Sequence, residues 1–184
     1  MLKICNPILI CTYSPKFAGY KKGIKIDMKK KRVQDSITEQ IHFLKYEDIN
    51  GEGRLFGGQL VSWIDEVAGT VAKRHAATPI TTASIDNLQF KSAAYLNDLV
   101  VIIGHVTYVG NTSMEVRVDS YVEGIDGLRR PINRAFLTLV ALDDNQLPIP
   151  IPYGLLIENE IQQLEWDNAK KRIDLRKHRQ KEAF

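Results

Sequence analysis

The stretch GGQLVSWIDEVAGTVAKRH, residues 57–75, decides the fold. Leu60, Ile64, Val67, Ala68 and Val71 recur at helical spacing with Gly69 as the one internal glycine, so the run predicts an amphipathic helix of about five turns. Gly57 and Gly58 open it, and Lys73, Arg74 and His75 close it, where the negative end of the helix dipole favours cations. On a wheel of about 100° per residue with Ile64 at the origin, the apolar set lies within about 60°, Asp65 near ~100° and Glu66 near ~200°. Asp65 is therefore carried at the margin of the buried face, while Glu66 faces solvent. A carboxylate at that margin is costly unless it is paired or used. Position alone leaves both readings open: an acid paired with a neighbour, or a catalytic group.

Upstream, Asn50-Gly51-Glu52-Gly53 is a turn, and Ser36 to Asp48 is a strand with Ile37, Ile41 and Phe43 on one parity, blurred by Leu44 and Tyr46. Downstream of Pro79 the pattern is all strand: Ile80–Lys91, the apolar run Leu99–Val109, Thr112–Glu123 and Asn133–Asp143. In the third of these, Met114, Val116, Val118 and Val122 alternate with Glu115, Arg117 and Asp119. Gly110-Asn111 has the chemistry of a two-residue hairpin turn. Pro148, Pro150 and Pro152 end the sheet, and a polar, basic helix from about Ile157 to Gln180 reads as a tail rather than a core element. The order β–α–β–β–β–β with short connections requires a largely antiparallel sheet. One amphipathic helix can bury its stripe only against the concave face of that sheet. The class is α+β: a five-stranded antiparallel sheet wrapped around one long helix.

The chain of 184 residues is one domain with some length to spare, and 44% hydrophobic with 26% charged residues excludes wholesale disorder. No apolar run approaches the roughly 18 residues of a membrane helix. Cys5 and Cys11 both lie near the start, so no disulfide framework holds the body together. Charge is sharply partitioned: residues 1–32 carry +8, residues 170–184 carry +5, and the middle carries −10. An acidic body with basic ends is not the footprint of a nucleic-acid reader. The basic ends are either solvated tails or hold a polyanionic ligand or an acidic neighbour. The expected organisation is a basic extension over 1–32, a domain over 33–153 and a basic helical tail over 154–184. Met28, followed by Lys29 to Arg32, is a candidate natural start. No secretory or transit pattern is convincing, and the chain is read as cytoplasmic.

His42, His75, His105 and His178 lack ligand-like spacing, so no metal site is expected. There is no G-x-S-x-G, no phosphate-binding G-x-x-x-x-G-K-[ST] loop and no G-x-G-x-x-G after a strand. His105 reads as a sheet residue, and Phe56 and Trp63 as core or interface aromatics. Gly57 and Gly58 expose backbone N–H groups at a helix start, which can approach a carbonyl oxygen as an oxyanion hole. With an acid two turns along, that points to acyl transfer or hydrolysis.

The run from Asn50 to Leu60, continuing through Trp63-Ile64-Asp65-Glu66, resembles the signature of hot-dog-fold acyl-CoA thioesterases, in particular the cytosolic (brain-type) acyl-CoA hydrolase family and its single-domain bacterial members. The resemblance extends through Ala72-Lys73-Arg74-His75, Thr82-Ala83-Ser84, Phe90, Gly110 to Met114, Ala135-Phe136 and Ala141-Leu142-Asp143, covering roughly residues 33–153. It implies a hot-dog fold and hydrolysis of acyl-CoA to a free acid and CoA, without metal or redox cofactor. By the same resemblance Asp65 is the catalytic acid, as base or nucleophile, and Asn50 orients water or substrate. Gly57 and Gly58 polarise the thioester carbonyl, while Asn111, Thr112 and Ser113 meet the pantetheine and phosphates of CoA. It further implies a homodimer whose sites combine Asn50 of one subunit with Asp65 of the other, assembled as a trimer of dimers. The long basic extension departs from the family pattern. Two alternatives belong to other classes: a non-catalytic acyl-CoA-binding protein, and a hot-dog hydratase. An intact Asn50/Asp65 pair argues against the first, and the lack of a histidine beside the helix start argues against the second.

Overall fold

The computed structural model describes residues 29–182; residues 1–28 of the expected extension, with Cys5, Cys11 and Met28, lie outside the described residues. The chain order is β1 (Lys30–Arg32), β2 (Thr38–Phe43), α1 (Gly57–Ala76), β3 (Ile80–Phe90), β4 (Leu99–Val109), β5 (Ser113–Glu123), β6 (Arg129–Ala141), β7 (Gly154–Leu156) and α2 (Glu160–Lys181). Five strands form one antiparallel sheet in the order β2-β4-β5-β6-β3, and β1 pairs with β7 in parallel.

The expected stripe of Leu60, Ile64, Val67, Ala68 and Val71 is buried against the concave side of the sheet, and Trp63 and Ala72 are buried beside it. Each large aliphatic among them contributes about 1.5–3 kcal/mol by leaving water. Gly104 on β4 permits the close approach, because a Cβ there would stand 2.8 Å from Val67 Cγ1 and 3.0 Å from Val71 Cγ2. The helix ends at Ala77, which takes the left-handed conformation (φ 56°) and donates to the Lys73 carbonyl. Lys31 Nζ caps the same end, donating to the carbonyls of Arg74 (2.7 Å) and His75 (2.9 Å). That contact and the β1–β7 ladder place residues 30–32 and 154–156 within the folded body, wider than the expected 33–153.

Two local expectations shift. The first strand is shorter than Ser36–Asp48, because the chain turns into a 3-10 segment at Tyr46–Asp48. Leu44 and Tyr46 blurred the alternation for that reason: Leu44 is fully buried beyond the strand's end. The β4–β5 hairpin closes on Gly110 and Ser113, whose N–H and carbonyl bond at 2.8 Å. Its tip is therefore Asn111-Thr112, one residue later than Gly110-Asn111.

The largest departure is α2, which is not a solvated tail. Asn159 caps it by accepting from the Gln162 N–H at 3.0 Å, and the helix lies across the outer face of the sheet. Trp166 packs on Tyr108 of β4, with ring centroids 4.4 Å apart. Glu165 accepts from Arg117 at 2.5 Å and meets His105 at 3.1 Å. Arg172 pairs with Glu115 at 2.7 Å and lies 3.7 Å over the Phe136 ring. Arg176 reaches Asp86 (3.0 Å) and Thr138, and Arg179 reaches Asp86 at 2.9 Å. The acidic neighbour that the charge partition allowed is thus the protein's own sheet. Glu115 is buried beneath Arg172 despite its outward parity, and Asp119 is buried between Arg117 and Arg134.

Candidate active site

The turn before α1 is built around Asn50. Its Oδ1 accepts from the N–H groups of Glu52 (3.0 Å) and Arg54 (3.2 Å), and its carbonyl accepts from Gly53, where φ is +70°. The oxygen is committed to the loop, so the Nδ2 amide is the end available to donate. Phe56 follows as the residue preceding the helix; it offers no side-chain acceptor, and Leu60 N–H bonds its carbonyl at 3.1 Å. The N–H groups of Gly57, Gly58 and Gln59 are therefore free among the described residues, at the positive end of a 20-residue helix.

Gly57 borders a cleft of about 350 Å³ lined also by Asn50, Arg54, Leu60, Phe90 and Ile132, among others. The ring of Phe90 lies so near Gly57 that a Cβ there would be 3.2 Å from it, and at Gly58 a Cβ would be 2.6 Å from the Phe56 ring. Substituting either glycine would push aromatic side chains off the helix start. Arg54 and Lys91 bring two cationic side chains to the cleft, and neither is in an ion pair among the described residues.

Asp65 is half-buried and Glu66 exposed, as the wheel predicts. Thr82 of β3 donates its hydroxyl to Asp65 Oδ1 at 2.7 Å, while Oδ2 has no hydrogen-bond partner among the described residues. One carboxylate oxygen is held and the other is open. Thr82 is the residue that the sequence did not single out as functional. The available signal was parity, since Thr82 lies on the same side of its strand as Ile80, which packs against the core that α1 helps to form.

Asp65 does not line the cleft that holds Asn50 and Gly57. Eight helical residues separate it from Gly57, a span of about 12 Å. The Asn111–Ser113 hairpin lies at the Asp65 end: Ser113 pairs with Val140, which pairs with Thr81. Two strand spacings put Ser113 about 10 Å from Thr81. The hairpin's backbone is pinned from below, with the Asn111 carbonyl accepting from Ile151 N–H (2.7 Å) and the Thr112 carbonyl from Ala141 N–H (2.9 Å). One protomer thus carries two half-sites: Asn50 with the glycine amides at the start of α1, and Asp65, near the middle of α1, with Thr82 and the strands that lead to the hairpin. No cluster of three or more His, Cys, Asp or Glu side chains suited to a metal occurs among the described residues. No described helix is long and apolar enough to cross a membrane.

Residues 52–127, from the turn before α1 through the β5–β6 connection, match the model of the thioesterase superfamily. The uncharacterized acyl-CoA thioester hydrolase YkhA of Bacillus subtilis is 37% identical over 137 residues, covering 74% of this chain and 79% of its own. The chain belongs to the hot-dog thioesterases, among the acyl-CoA thioester hydrolases. The human cytosolic acyl coenzyme A thioester hydrolase is 33% identical over 144 residues; the match takes in 76% of this thioesterase but only 37% of the human protein. Among solved structures, an apo-hexameric acyl-CoA thioesterase superposes with a TM-score of 0.78 at 36% identity, covering 82% of this chain and 97% of its own. The acyl-CoA hydrolase of Staphylococcus aureus, solved with butyryl coenzyme A and coenzyme A, gives 0.78 at 30% identity, covering 84% and 94%. The thioesterase has the hot-dog architecture, sheet around helix with a further C-terminal helix, and the two solved structures share its fold.

Proposed function

We propose that this thioesterase hydrolyses acyl-CoA at composite sites made by two copies of the chain, with Asp65 of one facing Asn50 and the Gly57/Gly58 amides of the other. The observation that carries the reading is the Asp65 carboxylate, held through Oδ1 by Thr82 with Oδ2 left free. In either route open to a carboxylate, that free oxygen is the reacting atom. It takes a proton from the water attacking the thioester carbonyl, or it attacks the carbonyl itself and water then cleaves the resulting anhydride. The carbonyl oxygen gains negative charge and the glycine N–H groups at the helix start receive it. The C–S bond breaks, the thiolate takes a proton, and free acid and CoA leave.

Sheet geometry supports the two-subunit arrangement. β3 is an edge strand with 11 residues available to a second copy. A two-fold axis through its middle sets the Thr82 end of one strand against the Phe90 end of its partner. That places Asp65 near the partner subunit's Asn50 and Gly57, closing a gap that one chain leaves open. The Staphylococcus aureus hydrolase has been solved with an asparagine, an aspartate and a threonine each replaced by alanine. Those positions are spaced fifteen and seventeen residues apart, the spacing of Asn50, Asp65 and Thr82. Relatives solved as hexamers support a trimer of dimers, and relatives named cytosolic support a cytoplasmic location. Asn111, Thr112 and Ser113, beside the Asp65 end, are assigned to the CoA moiety in this reading.

The test is thiol release from short-, medium- and long-chain acyl-CoAs, with Asp65→Asn alongside. Release from the native protein that falls at least 100-fold in the variant supports the assignment. Tight acyl-CoA binding without release would establish a binding protein instead.

A further inference from the structure

Ser120, Asn133 and Phe90 stand in one row across three strands: Ser120 of β5 is paired with Asn133 of β6, and Asn133 with Phe90 of β3. Ser120 is 0% and Asn133 2% exposed. Asn133 Nδ2 donates to the Gln89 carbonyl at 2.8 Å, which fixes the amide, because a carbonyl can only accept. Asn133 Oδ1 is thereby turned away, and neither it nor Ser120 Oγ has a partner among the described residues. Leaving a buried polar atom unmet costs about 1–3 kcal/mol. Two such atoms on paired strands, within a wall otherwise built from aliphatic side chains, form a cradle for something that hydrogen-bonds.

The row reaches the cleft. Ser120 pairs with Asn133 and Tyr121 with Pro131, so Ile132 is an extra residue on β6, and this bulge turns both Ile132 and Asn133 inward. Ile132 and Phe90 line the cleft, and the Phe90 ring lies over Gly57. The polar pair is therefore set just behind the wall against which an acyl group would lie, on the sheet side of the helix start.

The chemistry of the pair selects its ligand. Asn133 Oδ1 only accepts, while the Ser120 hydroxyl can donate. A hydroxyl satisfies both, donating to Asn133 and accepting from Ser120. A methylene satisfies neither, and a carboxylate would set its own acceptors against Oδ1. We propose that Ser120 and Asn133 form a specificity subsite that takes a hydroxyl group carried on the acyl chain. This rests on the acyl-CoA hydrolase reading and adds the substrate class to it: short to medium hydroxyacyl-CoAs over their unsubstituted parents. A site built to bond a hydroxyl discriminates strongly against the analogue lacking it.

The experiment compares kcat/KM for four-, six- and eight-carbon acyl-CoAs with those of the same chains hydroxylated at successive carbons, in the native protein and in Ser120→Ala. Ala fits where Ser stands and removes an unmet polar group, so the variant is expected to fold. The expected result is at least a 10-fold preference for one hydroxylated substrate, falling at least 5-fold in Ser120→Ala. Hydrolysis of parents and hydroxylated chains at equal kcat/KM would overturn the subsite and leave the hydrolase reading standing. A preference of full size in Ser120→Ala would overturn it equally. Release from no thioester at all would remove the hydrolase reading and this inference with it.

Discussion

Thr82 and Asp65 are joined by a 2.7 Å hydrogen bond that crosses from edge strand β3 to helix α1. The contact decides which carboxylate oxygen is free and where it points relative to the strand edge. Hydrogen bonds to a charged group are worth about 1.5–3 kcal/mol, or roughly 10- to 100-fold in rate if the bond acts in the transition state. Thr82→Val should lower kcat by that factor with KM shifted less than threefold, while Thr82→Ser should recover most of the loss. Equal kcat in the valine variant would mean that Asp65 is positioned by something else.

Much of this was legible in the residues, and the illegible parts share one cause. The helix from Gly57 to Ala76, the run of antiparallel strands and the marginal placement of Asp65 all follow from periodicity, which reports which side of an element is buried. Periodicity does not report what covers the other side. Glu115, Arg117 and Asp119 have the polar pattern of a solvated face, yet Arg172 and Glu165 of α2 meet Glu115 and Arg117, and a helix with Ala169 as its one fully buried residue leaves no apolar stripe to announce its docking. Thr82 escaped notice for a related reason, since its role is a contact between elements seventeen residues apart. Asn133 and Ser120 share the parity of the inward residues of β6 and β5, but alternation reports which side a residue faces and not whether its polar atoms find partners.

If the site spans two subunits, Asn50→Ala and Asp65→Ala each inactivate both sites of a homodimer, but a hybrid dimer regains one intact site. Mixing the two inactive variants at equal amounts under conditions of subunit exchange should restore about a quarter of native activity, the statistical yield for a two-fold dimer. Thiol release measured before and after exchange checks this. Demonstrated exchange without recovery would place both residues in one protomer's site.

The docking of α2 depends on Glu115, which is buried and receives Arg172 Nη2 at 2.7 Å, Arg172 Nε at 3.0 Å and the Thr107 hydroxyl at 2.6 Å. Removing one partner of a buried pair strands the other charge and costs about 3–5 kcal/mol. Arg172→Met should therefore destabilise the protein by about 3 kcal/mol, near the lower end of that range because Arg172 keeps some solvent contact. Adding Glu115→Gln removes the stranded charge yet can still accept from Thr107, and should recover at least half of the loss. Urea denaturation of both variants is the measurement. A single variant as stable as the native protein would show that α2 is held by its packing alone.

His75 sets the acid side of the stability profile. It is fully buried at the C-terminal end of α1, its Nε2–H donates to the Tyr153 carbonyl at 3.2 Å, and Nδ1 has no partner among the described residues. Burial pushes its pKa below the ordinary 6.5, with Lys31 acting in the same direction against the pull of the Tyr153 carbonyl. The unfolded chain therefore binds a proton below about pH 6.5 that the folded chain refuses, so stability falls as pH drops from 7 toward the lowered folded-state pKa. His42, also depressed by burial, adds to the same slope. The pKa of Glu165 is held low chiefly by its hydrogen bond to His105, so its contribution is retained in this window and lost only at more acid pH. Melting temperatures at pH 7.5, 6.5 and 5.5 should thus decline in the native protein and decline less steeply in His75→Gln, which cannot take up the proton in either state. An identical decline in the variant would assign the slope to His42 and leave His75 without a part in it.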